Sequence, residues 1–278
     1  LPGPGHGRGV LMDLSEIRRH YISEGYSALN ASAKTCQDVI LAKIAASPLK
    51  ESVTVKGGVL MCAISGSKRR ATQDIDLDFV RYPISDEAIR SFIRTLSAVD
   101  DGISMDIVGG IEELSQQDYK GKRVRIKMSD GRTSLESKLD LGVNASLSME
   151  QDECWFDIAQ SDEGICLLGN SKEQIFVEKL ISLLRHGIRS TRFRDLYDMY
   201  YIGNAASLDR PRLKRYIEGE IIDNPDMWDD SMEGIATRVG RTLSNRQFIA
   251  RMKTSHRDWI GKSAEEVARW LPSFLRRL

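Results

Sequence analysis

Residues 70–79 read Arg70-Ala71-Thr72-Gln73-Asp74-Ile75-Asp76-Leu77-Asp78-Phe79, and this stretch decides the fold. Ile75, Leu77 and Phe79 alternate with Asp74, Asp76 and Asp78, which is the period of a strand with one buried and one polar face. Asp74 and Asp76 then point to the same side, where their oxygens can share a hard divalent cation such as magnesium.

Upstream, the β-prone run Val53-Thr54-Val55 ends at Lys56-Gly57-Gly58. A brief apolar helix over 59–65 and a basic turn, Ser65-Gly66-Ser67-Lys68-Arg69-Arg70, follow it. Paired glycines after a strand let backbone N–H groups approach phosphate oxygens, and a helix N-terminus behind them favours an anion. A triphosphate is therefore expected on Lys56, Gly57, Gly58, Ser65, Ser67, Lys68 and Arg70. Downstream, Leu139, Leu141 and Val143 alternate with Lys138, Asp140 and Gly142, so Asp140 projects from a polar strand face. It is the first candidate for a third carboxylate of a two-metal site with Asp74 and Asp76. Asp106, in Ser104-Met105-Asp106-Ile107, competes on the same logic.

A lone Asp-x-Asp is commonly a solvated strand, and a lone Gly-Gly is commonly a turn. Their order along the chain makes the pattern specific. Two rival motifs fail on the residues. A calcium loop starting at Asp74 would need glycine at Phe79 and glutamate at Ser85. A P-loop would need Ser or Thr after Lys68, where Arg69 stands.

Around this centre, Asp13 and Glu16 resemble a capping box, predicting a helix through about residue 26. A second helix fits 28–46, ended by Pro48, and a third fits Ser85–Val99 with Ser85 as cap. β-like runs lie at 103–111, 121–129, 134–143 and, more briefly, 154–159. From Ser171 the pattern is helical, apart from a loop at 223–233 around Pro225. The expected architecture is α+β: a mixed α/β domain over 12–165 and a helical domain over 166–278.

The chain has 278 residues, 41% hydrophobic and 29% charged, with no apolar run near the ~20 residues that span a membrane. The opening LPGPGHGRGV has no secretory pattern, and the native start is expected at Met12. Cys36, Cys62, Cys154 and Cys166 form no CxxC pair and no zinc pattern, so reduced thiols in a cytoplasmic protein are expected. Net charge is zero, but residues 1–170 carry −5 and residues 171–278 carry +5. An acidic half joined to a basic half suits a metal site beside an anionic substrate, and solvated helix faces would give the same counts.

The helical half holds a second cluster: Glu173, Glu178-Lys179-Leu180, Arg185 and Arg192-Phe193-Arg194-Asp195-Leu196-Tyr197-Asp198. Lys179 borders the apolar Leu180, Leu183 and Leu184, while Asp195 and Asp198 share a helix face. An intrahelical salt-bridge network would explain it. Beside the carboxylate pair, Lys179 reads as a triphosphate ligand, with Asp195 orienting it or an arginine. His186 reads as a helix-end residue.

Lys56-Gly57-Gly58, Arg70-x-Thr72-x-Asp74-Ile75-Asp76-Leu77 and Glu178-Lys179-Leu180…Arg194-Asp195-Leu196-Tyr197-Asp198 resemble the AbiEii/AbiGii toxin family of nucleotidyltransferases, which includes the MenT toxins. The resemblance spans roughly residues 50–205. It implies a DNA polymerase β-like nucleotidyltransferase domain, a mixed sheet flanked by helices, followed by a helical domain. It also implies magnesium, a nucleoside triphosphate, a tRNA 3′ end as acceptor and a cognate antitoxin, which in some relatives phosphorylates the position corresponding to Thr72. One departure is the fifteen residues between Gly58 and Asp74, longer than in minimal nucleotidyltransferases. Arg185, Arg189, Arg192, Lys214 and Arg215 are expected to guide the tRNA. Transfer to a protein hydroxyl and sequestration of a nucleotide without turnover are the alternatives.

Overall fold

A computed structural model gives the fold, described for residues 13–80, 82–114, 121–143, 149–205 and 207–278. The expected start at Met12 lies outside the described residues. The chain divides into two compact units, parting between Gly169 and Asn170, with Met149 and Glu150 belonging to the second.

The first unit opens with α1 (Leu14–Ser23) and α2 (Ala28–Ala45), then β1 (Val53–Lys56), α3 (Gly57–Ser65), β2 (Ile75–Phe79) and α4 (Asp86–Ser97). β3 (Ser104–Leu114), β4 (Gly121–Ser129), β5 (Ser134–Val143), β6 (Gln151–Ile158) and β7 (Ser161–Asn170) complete it. The seven strands form one mixed sheet in the order β3-β4-β5-β2-β1-β7-β6. β2 runs antiparallel to β1 and parallel to β5, which puts the sequence's acidic strand at the sheet centre.

Period-2 alternation builds the core. Ile75, Leu77, Phe79, Leu139, Val124, Ile126 and Met128 are all fully buried. α4 presents Ile89, Phe92, Ile93 and Leu96 to this interior, and the Phe92 ring meets Phe79 edge-on at 5.1 Å. Its start is fixed by Ser85, whose Oγ accepts from the Ala88 N–H at 3.2 Å. Asp13 caps α1 in the same way, accepting from Ser15 and Glu16.

α1 stops at Ser23 rather than near 26, because Gly25 at φ +90° turns the chain toward the next cap, Ser27. α3 begins at Gly57, two residues before the apolar run that signals it, so both glycines belong to its first turn. β3 runs on to Leu114 through an irregularity between Val108 and Ile111. β7 had no counterpart in the sequence reading. Its first half, Ser161-Asp162-Glu163-Gly164, is polar and glycine-interrupted, and Gly164 is packed so close to the Phe156 carbonyl that a Cβ would lie 2.8 Å from it.

The second unit is helical: α5 (Lys172–His186), α6 (Phe193–Gly203), α7 (Arg210–Ile217), α8 (Met232–Leu243), α9 (Arg246–Thr254) and α10 (Ala264–Leu275). Ser171 caps α5 by accepting from Gln174 N–H, and His186 ends that helix. Phe176, Leu180, Met199, Ile202, Val239 and Leu271 form its buried interior. Among the described residues no helix is long and apolar enough to cross a membrane.

Candidate active site

Four adjacent strands bring one charged row together. The registers β1–β2, β2–β5 and β4–β5 align Lys56 with Asp76, Asp76 with Asp140, and Asp140 with Arg123. The row alternates as cation, two carboxylates, cation. Asp74 stands one residue before β2, on the same side as Asp76 by the strand period.

Asp76 is the most constrained of these groups. Burial pushes its carboxyl above the ordinary carboxylate range, Lys56 draws it down, and the nearby Asp140 and Asp74 charges push it up again. The Gly58 N–H points at its Oδ2 at 3.5 Å, so the first turn of α3 faces the carboxylate. Gly57 has φ +63°, and a Cβ there would lie 2.6 Å from Asp76 Cγ. Gly58 is packed against Thr72, whose Cβ would be 2.6 Å from a Cβ at 58. The glycine pair therefore makes room for Asp76 and Thr72, which is a packing requirement beyond the phosphate role read from the sequence.

Asp140 is 5% exposed, and both its oxygens are taken by Arg123, Nε to Oδ1 at 2.6 Å and a terminal nitrogen to Oδ2 at 2.7 Å. That bidentate geometry is the strong form of the ion pair. Asp106, the rival third carboxylate, is exposed on the edge strand β3, with β4 and β5 between it and β2.

The cationic residues assigned to phosphate are already engaged. Lys56 is buried and meets Asp78 Oδ1 at 2.5 Å. Lys68 binds Glu24 at 2.8 Å, both side chains about half exposed. Arg70 is 4% exposed. Ser65 Oγ accepts from Ser67 N–H at 3.2 Å, closing the turn that follows α3. A phosphate contact from Lys56 or Lys68 requires giving up the present partner.

Among the described residues, no three His, Cys, Asp or Glu side chains are gathered as a metal-holding group. The expected convergence of three carboxylates is met in strand register but not in side-chain placement, because Arg123 holds Asp140. The donor chemistry nevertheless suits magnesium. Asp74 and Asp76 offer hard carboxylate oxygens, and Asp76 is a buried carboxyl beside two other acidic groups whose mutual repulsion, when ionised, a divalent cation would relieve.

In the second unit, Lys179 Nζ lies 2.5 Å from Asp195 Oδ1 and 3.0 Å from Asp198 Oδ2. Arg192 Nε meets the other Asp195 oxygen at 2.7 Å. Asp198 is fully buried and also accepts from Trp259 Nε1–H at 2.9 Å. A small cleft opens here, with room for about one water molecule, lined by Lys179, Ser182, Ser190, Arg192 and Asp195. The sequence identified Lys179 and Asp195 but missed Asp198 as the second Lys179 partner and Trp259 as its anchor. Arg185, Arg189, Lys214 and Arg215 are exposed, whereas Arg192, also expected to guide tRNA, is tied to Asp195.

Residues 39–267 match the family model described as nucleotidyl transferase AbiEii toxin, type IV toxin–antitoxin system. No curated protein matches the chain. Among solved structures, a Helicobacter pylori protein assigned as a nucleotidyltransferase is 18% identical with a TM-score of 0.50, covering 91% of this chain and 95% of that one. JHP933 from Helicobacter pylori is 18% identical with a TM-score of 0.47, covering 90% and 92%. An antigenic nucleotidyltransferase-like protein from Paracoccidioides brasiliensis is 18% identical with a TM-score of 0.42, covering 70% and 89%. The first of these shows a shared fold.

Proposed function

The chain belongs to the AbiEii family of nucleotidyl transferase toxins of type IV toxin–antitoxin systems, and on that premise we propose a magnesium-dependent transfer of a nucleoside monophosphate from a nucleoside triphosphate to a tRNA 3′ end. Pyrophosphate leaves, a cognate antitoxin restrains the activity, and the reaction takes place in the cytoplasm. The observation that carries the reading is the row Lys56–Asp76–Asp140–Arg123, with Asp74 beside it and the first turn of α3 facing Asp76.

Asp74 and Asp76 would hold the magnesium, with Asp140 as the third carboxylate. Bound there, the metal supplies charge neutralisation at the attacking and leaving oxygens. The chain's own residues do the remaining work. Gly57 and Gly58 leave the N-terminal turn of α3 bare of side chains, so its N–H groups can meet phosphate oxygens. Lys56 and Arg123, at the two ends of the row, limit the repulsion among carboxylates that must stay ionised side by side. Asp140, after giving up one of the two Arg123 contacts that now take both its oxygens, would take the proton of the acceptor hydroxyl. Within the helical unit, Lys179 is proposed as a phosphate ligand, with Asp195 fixing its ammonium. Ser65, Ser67, Lys68 and Arg70 lie at and just after the C-terminal end of α3, and we assign them to the nucleotide-binding set as well. The half-buried Thr72, packed on Gly58, is the position an antitoxin would modify.

The test is incubation with magnesium and each α-labelled nucleoside triphosphate in turn, with total RNA or total protein as acceptor. Label at the 3′ end of tRNA with stoichiometric pyrophosphate supports the proposal. Label in protein alone moves the acceptor to a protein hydroxyl, and nucleotide binding without pyrophosphate removes catalysis altogether.

A further inference from the structure

We infer that the exposed face of the β3–β4–β5 wing is the track for the acceptor RNA's phosphate backbone, with Arg125 and Lys138 as its central pair. The inference rests on the reading of an RNA acceptor and gives it a surface.

Same-face positions on β4 are Arg123, Arg125 and Lys127, and each begins a row across the sheet. Arg123 sits between Glu112 on β3 and Asp140 on β5. Lys127 sits between Asp106 and Glu136. In both rows acids flank the cation. The middle row is different, because Arg125 stands between Val108 and a second cation, Lys138. Both are exposed, and among the described residues neither side chain takes part in an ion pair or hydrogen bond. Like charges directly opposite on an antiparallel pair destabilise the sheet. A polyanion lying between them turns that cost into an attraction.

The surroundings fit a backbone ligand. Beside Arg125 the β3 irregularity contains Gly109 and Gly110, and the Arg125 guanidinium lies 3.6 Å from where a Gly109 Cβ would be. The floor there carries no side chain to obstruct a strand. Lys138 is two residues from Asp140 on the same face, and the β2–β5 register that pairs Ile75 with Leu139 brings it level with Asp74. The middle row therefore leads toward the carboxylates, with same-face side chains repeating every ~6.6 Å. Among the described residues, none of the large exposed apolar side chains belongs to β3, β4 or β5, so the surface of these strands is built for charge rather than for an apolar protein contact.

The experiment compares the full chain with the double variant Arg125→Gln/Lys138→Gln, and with Lys127→Gln as the charge-compensated control. Nucleotide transfer to RNA is measured as KM for RNA and KM for the nucleoside triphosphate, together with RNA binding against salt. The double variant should raise KM for RNA ~10-fold or more and flatten the slope of log K against log salt by about 1.4, two single-strand phosphates' worth. KM for the triphosphate should stay unchanged, and Lys127→Gln should behave as wild type. If wild type labels RNA and the double variant matches it in KM and slope, the track is wrong and the RNA acceptor stands. If wild type labels only protein, track and acceptor fall together.

Discussion

Asp76 and Asp140 are directly opposite one another on adjacent parallel strands, and each has a cation at the neighbouring position on its outer side, Lys56 and Arg123 respectively. Two carboxylates placed side by side at the centre of a sheet are unfavourable for stability alone. Such an arrangement persists where function requires it, and the predictions below separate the functional cost from the structural one.

Asp76→Asn should abolish transfer and leave the fold equally or more stable. Burial raises the folded-state pKa of Asp76, so the protonated form is the one the fold favours. The associated stabilisation is fully present below the unfolded-state pKa and is lost as pH rises through the raised folded value. Near neutral pH the ionised side chain therefore costs stability, and the asparagine should recover about 0.5–2 kcal/mol. Thermal unfolding from pH 4 to 8 reads this directly, and a variant less stable than the parent at pH 7 would show Asp76 to be a structural residue.

Gly57→Ala meets two penalties together, a backbone at φ +63° and a Cβ inside the Asp76 carboxylate. The left-handed conformation costs about 1–2 kcal/mol for alanine. Displacement of Asp76 by about 1 Å should lower kcat about 100-fold. Urea denaturation and single-turnover transfer measure the two effects separately. Retained kcat would mean that the Asp76 position is not critical.

Arg123→Gln should destabilise the protein by about 1–3 kcal/mol, since it leaves a buried carboxylate beside Asp76 without its bidentate partner. The double variant Arg123→Gln/Asp140→Asn should recover most of that loss, giving a coupling energy in a double-mutant cycle. Additive losses would show the pair to be energetically idle.

In the helical unit, the two Lys179 partners should behave differently. Asp198→Ala removes a fully buried carboxylate that also anchors Trp259, and should cost about 3–5 kcal/mol. Asp195→Asn, at a half-buried position, should cost only about 1 kcal/mol while depressing transfer. Equal stability losses from the two would contradict this division of labour.

Much of the site was legible because period-2 alternation is a local property. Ile75, Leu77 and Phe79 identify β2, and Leu139 and Leu141 identify β5, so Asp76 and Asp140 could be put on polar strand faces. What could not be read was register. Arg123 falls in an equally clear alternation with Val124 and Ile126, but only the pairing of β4 with β5 shows that it, and not Arg125, faces Asp140. The same limit hid the pairing of Lys56 with Asp78, and the packing of α5 on α6, equally unreadable from sequence, hid that of Lys179 with Asp198. The strand β7 escaped because its first residues are polar and broken by Gly164, with close backbone packing supplying what side-chain pattern does not.

The central claim is that Asp74 and Asp76 form the centre at which nucleotide transfer occurs. The most direct measurement is transfer of label from an α-labelled nucleoside triphosphate to RNA by wild type and by Asp74→Ala, with magnesium present and with circular dichroism as the check on folding. Wild type should label RNA, and the folded variant should show no transfer above background. Undiminished labelling by folded Asp74→Ala would contradict the account.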